Sequence, residues 1–100
     1  MVVEIVCIEK DNGNHYNKHE AIKTYGWWDV DDKKVVKTAR NTMVTWIEED
    51  KDKHMAFVTD KNNGNKAYCY VRKNNYGTKF LQTYADGDWK DNLLYLGECR

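Results

Sequence analysis

Residues 66–73 read KAYCYVRK, and the alternation of their side chains predicts a strand with two different faces. In a β-strand, successive side chains point to opposite faces of the sheet. One face carries Ala67, Cys69 and Val71, and the other carries Tyr68, Tyr70 and Arg72. A face of small apolar side chains is the one that packs against a core, so we expect the tyrosines to be exposed. The alternative is that helices pack on the tyrosines and bury them.

Two more strand-like segments, 55–59 and 79–84, flank this strand in the chain. They are joined to it by 62–65 (NNGN) and 74–77 (NNYG), whose Asn and Gly residues tolerate the positive φ angles of tight turns. The order predicts a three-strand antiparallel meander.

The chain after the meander is predicted to return to the core. Asp86 and Gly87 predict a turn, and Leu93, Leu94 and Leu96 form an amphipathic tail shortly before Cys99. Because a tail so rich in branched apolar residues is stabilised by burial, we expect the C-terminus to pack against the core.

The N-terminal part of the chain predicts a strand followed by a helix. Residues 2–8 are β-branched and almost continuously apolar, which is typical of a strand covered on both faces. Asn17 and Glu20 have the spacing of a capping box, and Gly26 suits the position after a helix end. We therefore predict a short helix over 18–25.

The middle of the chain predicts a short hairpin and then the main helix. The hairpin is expected within 27–37, with its turn near Asp31-Asp32, and Thr38 is a plausible N-cap. One apolar stripe at helical spacing follows, formed by Ala39, Met43, Trp46 and Ile47. The charged residues of 50–53 are expected to end the helix.

Together these elements predict an α+β fold, with two helices packed on one face of a mainly antiparallel sheet that ends in the three-strand meander. The 100 residues are expected to form a single domain spanning 1–100.

Composition narrows the class of protein. Hydrophobic residues make up 41% and charged residues 32%, which is typical of a globular chain and not of a disordered one. The 16 basic and 16 acidic residues balance, so the whole molecule has no general attraction to nucleic acid or anionic lipid. No apolar run approaches the roughly 20 residues of a membrane span. We therefore expect a complete, cytoplasmic protein with no membrane partner.

The three cysteines are an odd number without paired spacing, which argues against a disulfide framework. Cys7 and Cys69 are expected to be packed thiols on apolar strand faces, whereas Cys99, close to the chain end, is a candidate exposed thiol whose redox state is open.

Three patterns that could carry chemistry each have a simpler interpretation. His15 and His19 have the spacing of zinc ligands on a helix, but they lack further paired ligands, so solvated histidines are favoured. A cysteine nucleophile needs a lowered pKa, which a packed thiol does not have. The segment 86–92 (DGDWKDN) resembles a calcium loop but lacks its final glutamate, so a solvated turn is favoured. We therefore predict no catalytic residue, no metal and no cofactor, and a protein that is not an enzyme.

Surplus aromatic side chains predict binding instead. The candidate binding residues are Trp27, Trp28, Tyr68, Tyr70 and Arg72. Such residues anchor protein interfaces, so the first hypothesis is an unidentified protein partner, as in a phage or mobile-element accessory or inhibitor protein. The alternative is single-stranded nucleic acid stacking on the tyrosines, with Lys66, Lys73 and Lys79 nearby. For the adjacent tryptophans, one in the core and one at the surface is an equally good interpretation. The oligomeric state is open.

Several short motifs resemble one protein family. They are the opening strand with its Asn-Gly turn, Tyr-Gly-Trp at 25–27, Met-Val-x-Trp-Ile at 43–47 and the closing segment 77–99, whose most specific part runs from Phe80 to Cys99. Together they are similar to a family of small bacterial proteins classed only as a domain of unknown function, number 3892. The resemblance implies a compact bacterial single domain and no established activity or cofactor. Gly97 departs from the proline that is common there in the family, which implies a looser tail.

Overall fold

The computed structural model describes residues 2–11, 18–51 and 55–99. These residues form one seven-stranded sheet. Its strands are β1 (Val3–Lys10), β2 (Ile22–Asp29), β3 (Lys34–Ala39), β4 (Ala56–Thr59), β5 (Lys66–Lys73), β6 (Lys79–Ala85) and β7 (Asp88–Lys90). One α-helix, α1 (Arg40–Glu49), follows β3, and two short 3₁₀ helices span Lys18–Ala21 and Asn92–Tyr95. No helix in the described residues is long and apolar enough to cross a membrane.

The strand order is β3-β2-β1-β4-β5-β6-β7. Only the central pair, β1 and β4, is parallel, and every other neighbouring pair is antiparallel. The sheet is therefore mixed. The predicted α+β fold with two helices on one face is wrong, because the described chain is mostly sheet and has a single α-helix.

The error lies in segment 18–25. Only Lys18–Ala21 is helical, as one 3₁₀ turn, and Ile22 begins β2. The residues from Ile22 are rich in β-branched and aromatic side chains, and β2 has β1 on one side and β3 on the other. Those two neighbours provide backbone hydrogen bonds that a two-turn helix could not match. Gly26 lies inside this strand and ends no helix, and Asn17 of the proposed capping box is outside the described residues.

The predicted hairpin exists but is longer than expected. The register of β2 and β3 runs from Asp29 opposite Lys34 to Thr24 opposite Ala39. The helix then begins at Arg40, with Ala39 at the N-cap position and no side-chain cap. Thr38 was expected to cap it, but its hydroxyl accepts a hydrogen bond from Trp27 Nε1 at 2.9 Å.

The C-terminal meander is confirmed. Strands β4, β5 and β6 pair antiparallel in sequence order, and β7 adds a fourth strand through the Asp86-Gly87 turn. Both turn residues have positive φ angles, 56° and 79°, as a two-residue hairpin turn requires. The tail also packs as predicted: Leu93 is fully buried, and Leu94 and Leu96 pack against the core.

One face of the sheet packs against α1. Met43, Val44 and Ile47 of α1 join one buried cluster with strand residues such as Ile5, Tyr25 and Leu81. We call the covered side the helix face and the opposite side the open face.

The orientation predicted for β5 is confirmed. Ala67 and Cys69 are fully buried on the helix face, and Val71 packs against the core there. Tyr68 and Tyr70 lie on the open face, where they are half-buried.

Candidate functional site

The strand register aligns seven open-face side chains in one line across the sheet. From β3 to β7 this cross-sheet row consists of Val35, Trp28, Glu4, Phe57, Tyr68, Tyr84 and Trp89. Because directly paired residues in a sheet point to the same face, all seven lie on the open face. With strands about 4.8 Å apart, the row extends about 29 Å along the sheet. Five of its seven residues are aromatic, and the Glu4 carboxylate separates Trp28 from the four aromatic residues of β4 to β7.

The β5–β7 end of the row forms a packed aromatic cluster, made of Tyr70 together with Tyr84 and Trp89. The rings of Tyr84 and Trp89 are 5.1 Å apart, and Tyr70 lies 6.3 Å and 6.5 Å from them, all edge to face. Phe57 and Tyr68 form another edge-to-face pair at 6.1 Å. Such pairs add about 0.5–1.5 kcal/mol each beyond their burial. The rings are therefore held in fixed relative positions before any partner binds.

Two cations lie over this aromatic surface. The Arg72 guanidinium is 4.4 Å from the Trp89 ring centroid, and its Nη1 donates to Gln82 Oε1 at 2.8 Å. The Lys66 ammonium is 4.7 Å from the Phe57 ring centroid. The one carboxylate in the row, Glu4, accepts a hydrogen bond from the Thr59 hydroxyl. The row thus presents apolar area bordered by positive charge.

The adjacent tryptophans have different roles. Trp27 faces the core, where it is 9% exposed and packs edge to face on Trp46. Trp28 is 41% exposed and belongs to the cross-sheet row. The hypothesis that Trp27 lies at a binding surface is therefore wrong, and the alternative of one core and one surface tryptophan is confirmed.

The expectation of no disulfide is also wrong, since Cys7 and Cys99 are bonded across a sequence separation of 92. Ile5 pairs with Trp27 and Cys7 pairs with the next residue, Gly26, so β1 has one extra residue at this point. That residue is Val6, which forms a β-bulge. The bulge moves Cys7 from the face of Ile5 to the open face. There both sulfurs pack on Gly26: a Cβ at that position would lie 2.2 Å and 2.5 Å from them.

The other candidate reactive groups divide into buried and undescribed ones. Cys69 is a fully buried free thiol, and burial raises its pKa, as expected of a packed cysteine. His19 was expected to be solvated but is 3% exposed and stacks on Phe80. His15 lies outside the described residues. Among residues 2–11, 18–51 and 55–99, no three His, Cys, Asp or Glu side chains converge to hold a metal ion.

A cleft lies between the end of α1 and strands β5 and β6. It has a volume of about 530 Å³, and its walls include Ile47 of the helix and Tyr70, Val71 and Arg72 of β5. Lys79, paired with Glu48 at 2.7 Å, closes one side. Because Ile47 and Val71 lie on the helix face, this cleft is separate from the aromatic surface of the open face.

The sequence analysis missed Phe57, Tyr84 and Trp89. Each lies on a predicted strand or just after a predicted turn, and the strand pattern alone assigns each to one of two faces. Only the pairing register places them beside Tyr68, because it depends on contacts between segments far apart in the chain.

One family model, described as "Protein of unknown function (DUF3892)", matches residues 4–97. The chain therefore belongs to this family. No curated protein and no solved structure is similar enough to the chain to count as a match.

Proposed function

We propose that this member of the DUF3892 family is a non-enzymatic binding protein of the bacterial cytoplasm that captures a protein partner on the open face of its sheet. A phage or mobile-element accessory or inhibitor protein would act in this way. The observation that carries the proposal is the cross-sheet row, in which Trp28, Tyr84 and Trp89 remain 37–41% exposed.

The residue types in the row are those that dominate protein interfaces. Tyr, Trp and Arg provide most of the energy at interface hot spots, because they combine a large apolar area with a polar group. Here Tyr70, Tyr84, Trp89 and Arg72 lie in mutual contact. A surface already ordered in this way loses little side-chain entropy on binding.

The charges indicate the chemistry of the partner. Lys66 and Arg72 lie over the aromatic rings and border this surface with positive charge. A partner that presents apolar side chains flanked by carboxylates would complement both features.

Single-stranded nucleic acid is the second candidate, supported by the same rings and cations. Base stacking needs free ring faces, but Arg72 covers one face of Trp89 and Lys66 covers one face of Phe57. Tyr70 and Tyr84 contact each other edge to face, and the formal net charge is zero. These features favour a protein partner.

The test compares the wild type with Trp28→Ala and Tyr84→Ala in quantitative affinity capture from lysate, followed by calorimetry with the purified captured protein. Tyr76→Ala is the matched control, since Tyr76 is 94% exposed in the β5–β6 turn, outside the row. We expect each row variant to weaken the complex at least about tenfold, and the control to leave it unchanged.

Equal affinity for all four proteins would refute the proposal. Fluorescence anisotropy with a labelled thymidine oligonucleotide at low salt tests the second candidate. Binding that Tyr84→Ala abolishes and that falls steeply with added salt would favour nucleic acid instead.

A further inference from the structure

The Cys7–Cys99 bond joins the end of the chain to a central strand. Ile8 N–H donates to Gly97 O, and Cys99 N–H donates to Ile8 O, both at 3.1 Å. Residues 97–99 thereby form a parallel bridge with β1, with Glu98 paired to Ile8. Among the described residues, these two bonds and the disulfide attach the segment to β1.

The two bonded cysteines lie outside the core. Both cysteines are half-buried on the open face, and neither belongs to the buried cluster that joins the sheet to α1. The last fully buried residue before segment 97–99 is Leu93. Its burial anchors the chain independently of the bridge. The bond can therefore break without opening the core.

Gly26 makes the bridge geometrically specific. Its strand position has the space that both sulfurs occupy, since a side chain there would overlap each of them. The bulge at Val6 directs Cys7 into that space, and the parallel pairing with Ile8 directs Cys99 into it. Three separate features thus bring the two cysteines together.

We propose that Cys7 and Cys99 form a reversible thiol–disulfide exchange site, which serves as a redox latch for segment 97–99. Its co-reactant is a protein dithiol of the Cys-X-X-Cys type. In a cytoplasm, where structural disulfides are rare, a bonded pair of this kind is usually transient and redox-sensing. The latch rests on the cytoplasmic location proposed above, but it does not depend on the proposed binding of a partner.

The exchange proceeds in two steps. A thiolate of the reductant attacks one sulfur of the bridge, and the other cysteine leaves as a thiolate and takes up a proton. The second thiol of the reductant then attacks the mixed disulfide and releases the second cysteine. Two electrons pass to the protein, both cysteines end as thiols, and the reductant ends as a disulfide.

Reduction would free the backbone groups of Ile8 that now pair with the tail. An unpaired N–H and C=O beside β1 form a strand edge at which an extended peptide can add. The site also lies against Val35 of the cross-sheet row, whose Cγ1 is 3.0 Å from the Cβ position of Gly26. Reduction would therefore change both the edge of β1 at Ile8 and the surroundings of Val35.

The test is ¹⁵N relaxation of the whole protein before and after treatment with dithiothreitol, and then with reduced thioredoxin. We expect the spectrum of the reduced protein to stay dispersed, the order parameters of Glu98 and Cys99 to fall from about 0.85 to below about 0.6, and those of Cys69 and Leu81 to remain unchanged. Reoxidation by oxidised glutathione should restore the tail.

Two variants separate the latch from general effects of reductant. Cys7→Ala with Cys99→Ala should show the mobile tail without any reductant, and Cys69→Ala should respond to reductant like the wild type. Unchanged order parameters at Glu98 and Cys99 after reduction would overturn the proposal. Collapse of the whole spectrum to that of an unfolded chain would also overturn it, because the bond would then be a structural staple. Neither readout needs a binding partner.

Discussion

Replacement of Gly26 by alanine should test the packing of the disulfide directly. The new Cβ would lie 2.2 Å from Cys7 Sγ and 2.5 Å from Cys99 Sγ. Ordinary contacts between such atoms are about 3.5 Å or longer, so each sulfur would have to retreat by about 1 Å. Overpacking of this kind costs about 1–3 kcal/mol. We expect Gly26→Ala to lower the free energy of unfolding by about that amount while the bridge remains.

The matched background is the protein with Cys7→Ala and Cys99→Ala. Without the sulfurs, the nearest remaining atom is Val35 Cγ1 at 3.0 Å, the end of a side chain that can rotate. Alanine is also favoured over glycine inside a strand by roughly 0.5–1 kcal/mol. In this background Gly26→Ala should therefore be nearly neutral or stabilising. The coupling energy of the double-mutant cycle should be about 1–4 kcal/mol.

The assay is urea unfolding of the four proteins, with free thiols counted in each under denaturing conditions. The bridged proteins should show one free thiol, from Cys69. Three free thiols in Gly26→Ala would mean that the alanine prevented the bridge from forming. The same steric conflict would then have been relieved by loss of the disulfide bond. An intact bridge together with a loss below about 0.5 kcal/mol would refute the reasoning.

Three further predictions follow from buried groups. Thr38→Val leaves the Trp27 indole N–H without its acceptor and should lower the free energy of unfolding by about 1–3 kcal/mol. The control, Thr45→Val on the exposed side of α1, should change it by less than about 0.5 kcal/mol. Equal losses in the two variants would contradict this prediction. Burial lowers the pKa of His19 below 6.5 despite the neighbouring Asp91 carboxylate, so the unfolded chain binds the proton more readily. The free energy of unfolding should therefore fall as the pH drops from about 6.5 towards 5. In pH-dependent unfolding, His19→Gln should show a smaller fall over that range. Burial also raises the pKa of the Cys69 thiol, so a thiol reagent should label it only in unfolded protein, and rapid labelling of the native oxidised protein would contradict this placement.

The patterns that predicted structure correctly each involve residues close together in the chain. The alternation along β5 identified both its strand character and the face that packs against the core. The Asp86-Gly87 pair identified a tight turn, and the stripe through Met43 and Ile47 identified α1. In each case the pattern reflects the geometry of one element: the alternation of a strand, the residue preference of a tight turn, or the spacing of a helix.

The candidate site was predicted only in part for the same reason. Trp28, Tyr68, Tyr70 and Arg72 were identified from composition and alternation, and they do share the open face. Which of the two adjacent tryptophans is buried could not be read from two identical neighbours.

The meander, the main helix and the two-sided character of the central strand can therefore be predicted from local sequence patterns, because they depend on neighbours close in the chain. Three other features depend on contacts between distant segments. Segment 22–29 became a strand because β1 and β3 satisfy its backbone on both sides. Cys7 turned to the open face because one bulge at Val6 reversed its side, and it met Cys99 from 92 positions away. The aromatic row formed because six separate registers came into line, and such registers are set by packing between distant segments, which no local pattern encodes.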